Sequence, residues 1–200
     1  MKKKEIDLFN ILLGLVIGCL IGFFIFTQIK TNENETIAPT NKEEVYGTVY
    51  IIQLGASTKV EDLNIIIERL NVLGLYYELY EEGGKTYVFN SIYSSLYEAQ
   101  EKKEIIESYG FTVTIRSEYI LDLPKIVIIE NDKYEFYNEV VNNLLYSLQN
   151  EAVIISEKYY NNPIDIELFS NMTILMTIKN NSIKENYQLN TFCLLLKKIK

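Results

Sequence analysis

The chain repeats one strand–helix–strand pattern across residues 46–119, and this repeat constrains its fold more than any other feature. Each half contains a strand, a turn with serine, an acidic helix start, a glycine that ends the helix and a second strand. The halves are residues 50–81 and 87–117, offset by about 36 residues, a repeat too short for a solenoid. Together they predict an α+β fold of ferredoxin-like βαββαβ order, with a four-stranded antiparallel sheet.

Apolar periodicity and turn residues predict the bounds of each element. The strands are predicted at Val49–Leu54, Leu75–Tyr80, Thr86–Ile92 and Phe111–Ile115. The helices are predicted at Glu61–Leu73 and Leu96–Tyr109, each followed by glycine. Glu82-Gly83-Gly84-Lys85 predicts a hairpin turn between the second and third strands. Both helices are expected on one face of the sheet, leaving the other open as a binding platform.

An apolar stretch from Leu8 to Phe26 predicts one transmembrane helix over residues 8–29. About 19 residues at 1.5 Å each span the roughly 30 Å hydrocarbon core. No cleavage site follows the stretch, which disfavours a signal peptide, and apolar residues after Cys19 disfavour a lipoprotein. Three lysines precede the helix, so residues 1–7 are predicted to be a cytoplasmic tail and the bulk of the chain to be extracytoplasmic.

Three glycines recur at four-residue spacing within this apolar stretch. Gly14, Gly18 and Gly22 would lie on one helix face, where a partner helix or a second copy of the chain could approach closely. The alternative is that glycine is simply frequent in membrane helices. The sequence leaves both interpretations open.

Residues 30–45 and 121–200 flank the repeat and differ sharply in composition. The first segment is polar and aperiodic, which predicts a linker that holds the module near the membrane. The second contains three apolar segments at helical spacing and predicts a small, mainly helical region. This region would either pack on the repeat module as a scaffold or present a protein-interaction surface.

The composition excludes several classes of function. The chain has no histidine and only two cysteines, so the commonest general base and the usual zinc ligands are missing. A formal net charge of −8 opposes nucleic-acid binding. We therefore expect a chain that is not an enzyme, with no metal, no cofactor and no nucleic-acid partner.

Residues 46–120 resemble the SPOR (sporulation-related repeat) domain family. Residues 50–57, read as Tyr-Ile-Ile-Gln-Leu-Gly-Ala-Ser, are similar to the opening strand motif aromatic-x-Val-Gln-Val-Gly-Ala. Tyr87-Val88-Phe89 and the later Ser-Ser-x-x-Glu-Ala run, residues 94–99, resemble the third strand and second helix start of the family. Ser57 and Ser91 depart from the pattern, and the tryptophans of some members are absent.

The resemblance implies binding of peptidoglycan, specifically septal glycan strands stripped of stem peptides, across the open sheet face. Strand alternation supplies the candidate residues on that face. In the third strand either Tyr87 and Phe89 or Val88 and Asn90 face outward, and the aromatic pair is favoured because sugars stack on rings. The predicted glycan-binding residues are Gln53, Ala56, Ser57, Tyr76, Tyr87, Phe89, Thr112 and Arg116.

The layout resembles that of stage II sporulation protein B type membrane proteins. It implies a single-pass protein of a bacterial cell membrane, acting in cell division or sporulation. The alternative is an assembly protein that recruits divisome or engulfment proteins, its SPOR-like fold having lost the glycan. An RNA-binding module of the same topology would need a basic sheet, which the acidic charge opposes.

Overall fold

The computed structural model describes residues 45–124 and 131–199, which belong to one compact unit. The first six strands and α-helices follow the predicted βαββαβ order, and three further α-helices lie within residues 131–199; two short 3-10 helices are also present in the described residues. The elements are β1 (Thr48–Ser57), a 3-10 helix (Val60–Leu63), α1 (Asn64–Leu73), β2 (Glu78–Glu82), β3 (Lys85–Tyr93), α2 (Leu96–Ser108), β4 (Thr114–Tyr119), α3 (Asn131–Leu148), a second 3-10 helix (Glu157–Tyr159), α4 (Ile166–Thr177) and α5 (Asn181–Ile199).

The four strands form one antiparallel sheet in the order β2-β3-β1-β4, which confirms the predicted α+β class and sheet. The second strand begins at Glu78, three residues later than predicted. The reason is the end of α1, where Gly74 adopts φ 65° and the Leu75 amide donates to the Leu70 carbonyl. This left-handed helix end takes up the residues that follow α1, so the hydrogen bonds between β2 and β3 begin later in the chain.

Helices α1 and α2 cover the inner face of the sheet, as the sequence predicted. Ile52, Leu54 and Val88 are buried there with residues of both helices. Gly55 allows the close approach, since a Cβ at this position would lie 2.8 Å from the Ile66 Cδ1 atom. The glycine of the strand motif therefore leaves room for the ends of the Ile66 and Leu63 side chains, which would have to shift for a larger residue.

The expectation of an open outer face is wrong for most of that face. Helix α5 packs on β2 and β3, and α3 and α4 pack on α5; these three helices, which we call the cap, share a core with the outer side chains of the sheet. Val49, Ile51, Phe89 and Ile92 are each at most 2% exposed. A strand that is covered on both faces tends to a continuous apolar run instead of an alternating one, and β1 has that character.

A polar seam joins α5 to the covered part of the sheet. The Tyr76 hydroxyl donates to the Glu78 carboxylate, and the Asn190 amide donates to the same oxygen at 2.7 Å. Asn171 of α4 donates to the Asn190 carbonyl oxygen at 2.7 Å. Burial, reinforced by Glu78, raises the pKa of Tyr76, so the phenol stays protonated. These bonds fix the position of the cap on the sheet.

Several predicted features lie outside the described residues. They are the tail at 1–7, the transmembrane helix at 8–29 with Gly14, Gly18 and Gly22, and the linker up to residue 44. Among the residues that the structure describes, every helix is too short or too polar to cross a lipid bilayer.

Phe89→Ala tests the covered face. We expect it to lower the free energy of unfolding by about 3–5 kcal/mol, because the ring is 0% exposed between the sheet and the cap. Tyr97→Ala is the matched control, since that ring is 66% exposed on α2, and we expect a change of about 0.5 kcal/mol or less. Urea unfolding of the fragment 44–200 measures both; an equally small effect of the two substitutions would mean that the face is open.

Candidate functional site

The cap leaves uncovered a part of the outer face near β4, which we call the outer strip. The sheet register places its residues on neighbouring strands: Gln53 is opposite Thr114, and Ala56 is opposite Tyr87. Ala56, Thr112 and Thr114 are exposed, and the other members are partly exposed. The outer strip consists of Gln53, Ala56, Tyr87, Thr112, Thr114 and Arg116.

Arg116 is held across the outer strip by an aromatic ring and two carboxylates. Its guanidinium carbon lies 5.3 Å from the centroid of the Tyr87 ring. Its Nη2 atom lies 2.7 Å from Glu82 Oε2 and 3.3 Å from Glu118 Oε2. Partial burial alone would lower the pKa of Arg116, but the two carboxylates raise it above its ordinary value. The result is a fixed, charged plane stacked on a ring.

Free hydrogen-bonding groups surround this stacked pair. Within residues 45–124 and 131–199, the side chains of Gln53, Thr112 and Thr114 form no hydrogen bond with the protein. An amide offers two donors and an acceptor, and each hydroxyl offers one donor. The outer strip therefore places unpaired hydrogen-bonding groups beside the stacked pair of Arg116 and Tyr87, an arrangement that suits a hydroxyl-rich molecule.

Three of the predicted glycan-binding residues lie elsewhere. Phe89 is buried under the cap, and Tyr76 is half-buried in the polar seam. Ser57 is directed toward the 3-10 helix, where its hydroxyl donates to Asp62 at 2.7 Å and accepts from the Lys59 amide. Of the two orientations considered for β3, the strand pairing confirms the one that was favoured. Tyr87 and Phe89 lie on the outer side of the sheet, together with Ile51.

Sequence reasoning missed the two carboxylates that hold Arg116. Glu82 lies 34 residues before Arg116, at the far edge of the sheet, so no local pattern links them. Glu118 could have been predicted, because it lies two residues after Arg116 and therefore on the same face of β4.

One solved structure that matches part of the chain is the solution structure of the peptidoglycan binding domain of the B. subtilis cell wall lytic enzyme CwlC. It is 18% identical over 36% of this chain and 90% of that chain, with a TM-score of 0.32. No protein-family model and no curated protein matches the chain. At this similarity the match does not argue for a function, so the proposals below depend on the residues and their geometry.

Labelling of Cys193 tests whether the cap stays closed over the sheet. The fragment 44–200 contains this cysteine alone, because the other is Cys19. Burial raises the pKa of the Cys193 thiol, and the nearby Glu78 carboxylate raises it further. At pH 8 we expect a disulfide reagent to label it only as fast as the fragment unfolds globally. Rapid labelling of a fragment with native circular dichroism would mean that the cap opens locally.

Proposed function

We propose that the chain is an extracytoplasmic peptidoglycan-binding protein, anchored by the predicted transmembrane helix and binding glycan strands through the outer strip. The observation that carries this proposal is the grouping of Gln53, Ala56, Tyr87 and Arg116 on the one part of the outer face that the cap leaves uncovered. Gln53, Ala56 and Tyr87 belong to the strand motifs that resemble the SPOR family, and Arg116 lies on the fourth strand beside them.

The chemistry of the outer strip suits a glycan. A sugar ring presents an apolar face that packs on an aromatic ring, and its edge carries hydroxyls that need donors and acceptors. The stacked pair of Arg116 and Tyr87 would supply the flat surface, while Gln53 and Thr114 would supply the polar partners. Because Arg116 already pairs with Glu82 and Glu118, it would act mainly as a planar surface with a few spare donors.

Charge favours glycan strands that lack stem peptides. Stem peptides carry several carboxylates, whereas their removal by an amidase leaves one at each attachment point, so the net charge of −8 would repel the denuded strand less. This preference fits a role at sites of cell division or sporulation, where amidases remove the peptides. We propose a binding protein without a catalytic step.

A second candidate is an assembly protein that recruits division or engulfment proteins. The cap favours it, because α5 and its neighbours bury Phe89 and half of Tyr76, so the wide aromatic platform expected from the sequence is not accessible. In this case the sheet would serve as a scaffold for the cap.

Co-sedimentation with peptidoglycan sacculi distinguishes the two candidates. The fragment 44–200 is mixed with sacculi before and after amidase removal of the stem peptides. We expect the wild type to bind the denuded sacculi more tightly, and Gln53→Leu to bind them about tenfold more weakly, since the amide makes one or two hydrogen bonds to the glycan. Gln100→Leu, on the exposed side of α2, is the matched control and should bind like the wild type.

If wild type and both variants stay in solution with either form of sacculi, the glycan proposal fails and the assembly role is favoured. If Gln53→Leu and Gln100→Leu bind equally well, the outer strip is not the site. Unfolding curves of both variants show whether a loss of binding comes from a loss of fold.

A further inference from the structure

Strand β4 lies at one edge of the sheet, where it pairs with β1 alone among residues 45–124 and 131–199. The register of that pair continues to Gly47 and Ile120, and the Ile120 amide donates to the Gly47 carbonyl at 2.9 Å. Hydrogen-bonded and non-hydrogen-bonded pairs alternate along an antiparallel ladder. The amide and carbonyl groups of Ile115, Ser117 and Tyr119 therefore point away from β1, toward the free edge.

No proline or bulge interrupts β4 to protect this edge. Such features commonly block sheet edges, because an open edge can pair with another strand. The six residues of β4 keep one register with β1, and Thr114, Ser117 and Tyr119 are exposed. The opposite edge strand, β2, has three glutamates among its five residues, so a second copy of β2 would bring like charges together. The β4 edge is therefore the better of the two for pairing.

The residues of β4 are complementary to a second, antiparallel copy of the same strand. With Ser117 of one copy opposite Ser117 of the other, Ile115 faces Tyr119, and each of these facing pairs can exchange two hydrogen bonds. The same register places Arg116 of one copy opposite Glu118 of the other. A shift by two residues would place Arg116 opposite Arg116 or Glu118 opposite Glu118, so charge favours the register centred on Ser117.

We propose that the chain forms a homodimer through the β4 edge, so that two four-stranded sheets become one sheet of eight strands. The arrangement has twofold symmetry about Ser117, which closes it at two copies. Both outer strips would then lie next to each other on the same side of the joined sheet. No ligand takes part, so the dimer does not depend on the proposed function.

Charged groups near the edge weaken the attraction between the copies without preventing it. Within one copy, Glu82 and Glu118 already contact the Arg116 guanidinium at 2.7 and 3.3 Å, so the second copy joins an existing network. Each copy is acidic overall, which opposes association at a distance, but charges more than about 8 Å apart are largely screened at physiological salt. Backbone hydrogen bonds and the two Ile115–Tyr119 pairs therefore supply most of the attraction, and arginine opposite glutamate sets the register.

Cross-linking at Ser117 tests the dimer in the full chain. In a Cys19→Ser background the remaining native cysteine, Cys193, is buried, and Ser117→Cys supplies the reactive thiol. In the proposed register the two Cα atoms at position 117 lie about 5.5 Å apart, within the range of a disulfide. Under mild oxidation of membrane vesicles from expressing cells, we expect a disulfide-linked dimer.

Thr114→Cys in the same background is the matched control, since Thr114 is also exposed on β4. In the proposed register its two Cα atoms lie about 20 Å apart, so we expect it to cross-link at least about tenfold more slowly than Ser117→Cys. Equal rates for the two variants would indicate chance encounters and would overturn the proposal. The absence of any disulfide from Ser117→Cys would overturn it as well.

Hydrogen exchange of the fragment 44–200 separates pairing between copies from covering of the edge within one chain. We expect the outward amides of Ile115, Ser117 and Tyr119 to exchange rapidly in dilute solution and to become protected as the concentration rises. The amides of Arg116 and Glu118 face β1 and should be protected at every concentration. Protection of the outward amides that does not change with concentration would mean that a single chain covers its own edge, and the proposal would fail.

Discussion

Burial of apolar side chains on both faces of the central strands is the interaction on which this structure depends. β1 and β3 supply Ile52 and Val88 to the core under α1 and α2, and Ile51 and Phe89 to the core under the cap. The sheet is thus the middle layer of three. Since each face alone would expose a continuous apolar surface to water, neither the βαββαβ module nor the cap is expected to be stable without the other.

This arrangement also determines where the chain can bind a ligand. The cap covers Phe89 of β3 and Val49 and Ile51 of β1, and the polar seam between Glu78 and Asn190 fixes it there. What remains of that face is the outer strip, in which Arg116 and Tyr87 form the central pair.

The sequence predicted the βαββαβ order, the inner core and the outward side of β1, because two-residue and three-to-four-residue periodicities report which side of an element is buried. Periodicity left the outward side of β3 open. It could not predict what covers the other side. The alternation along each strand places Val49 and Ile51 of β1 and Phe89 of β3 on the outer face. Alternation does not distinguish a face that binds a ligand from one that is covered by a helix distant in the sequence. The cap belongs to residues 131–199, and its apolar stripes predicted that it either packs on the repeat module or binds a partner, without indicating which face of the module it would cover. The structure shows that it packs on the module.

Removal of the cap tests the central claim most directly. The fragment 45–122 contains the whole βαββαβ module, and its unfolding in urea can be compared with that of the fragment 44–200 by circular dichroism and binding of an apolar dye. The three-layer account predicts that the shorter fragment binds the dye and shows no cooperative transition, while the longer one unfolds in a single step. A shorter fragment that unfolds cooperatively and binds no dye would contradict the account.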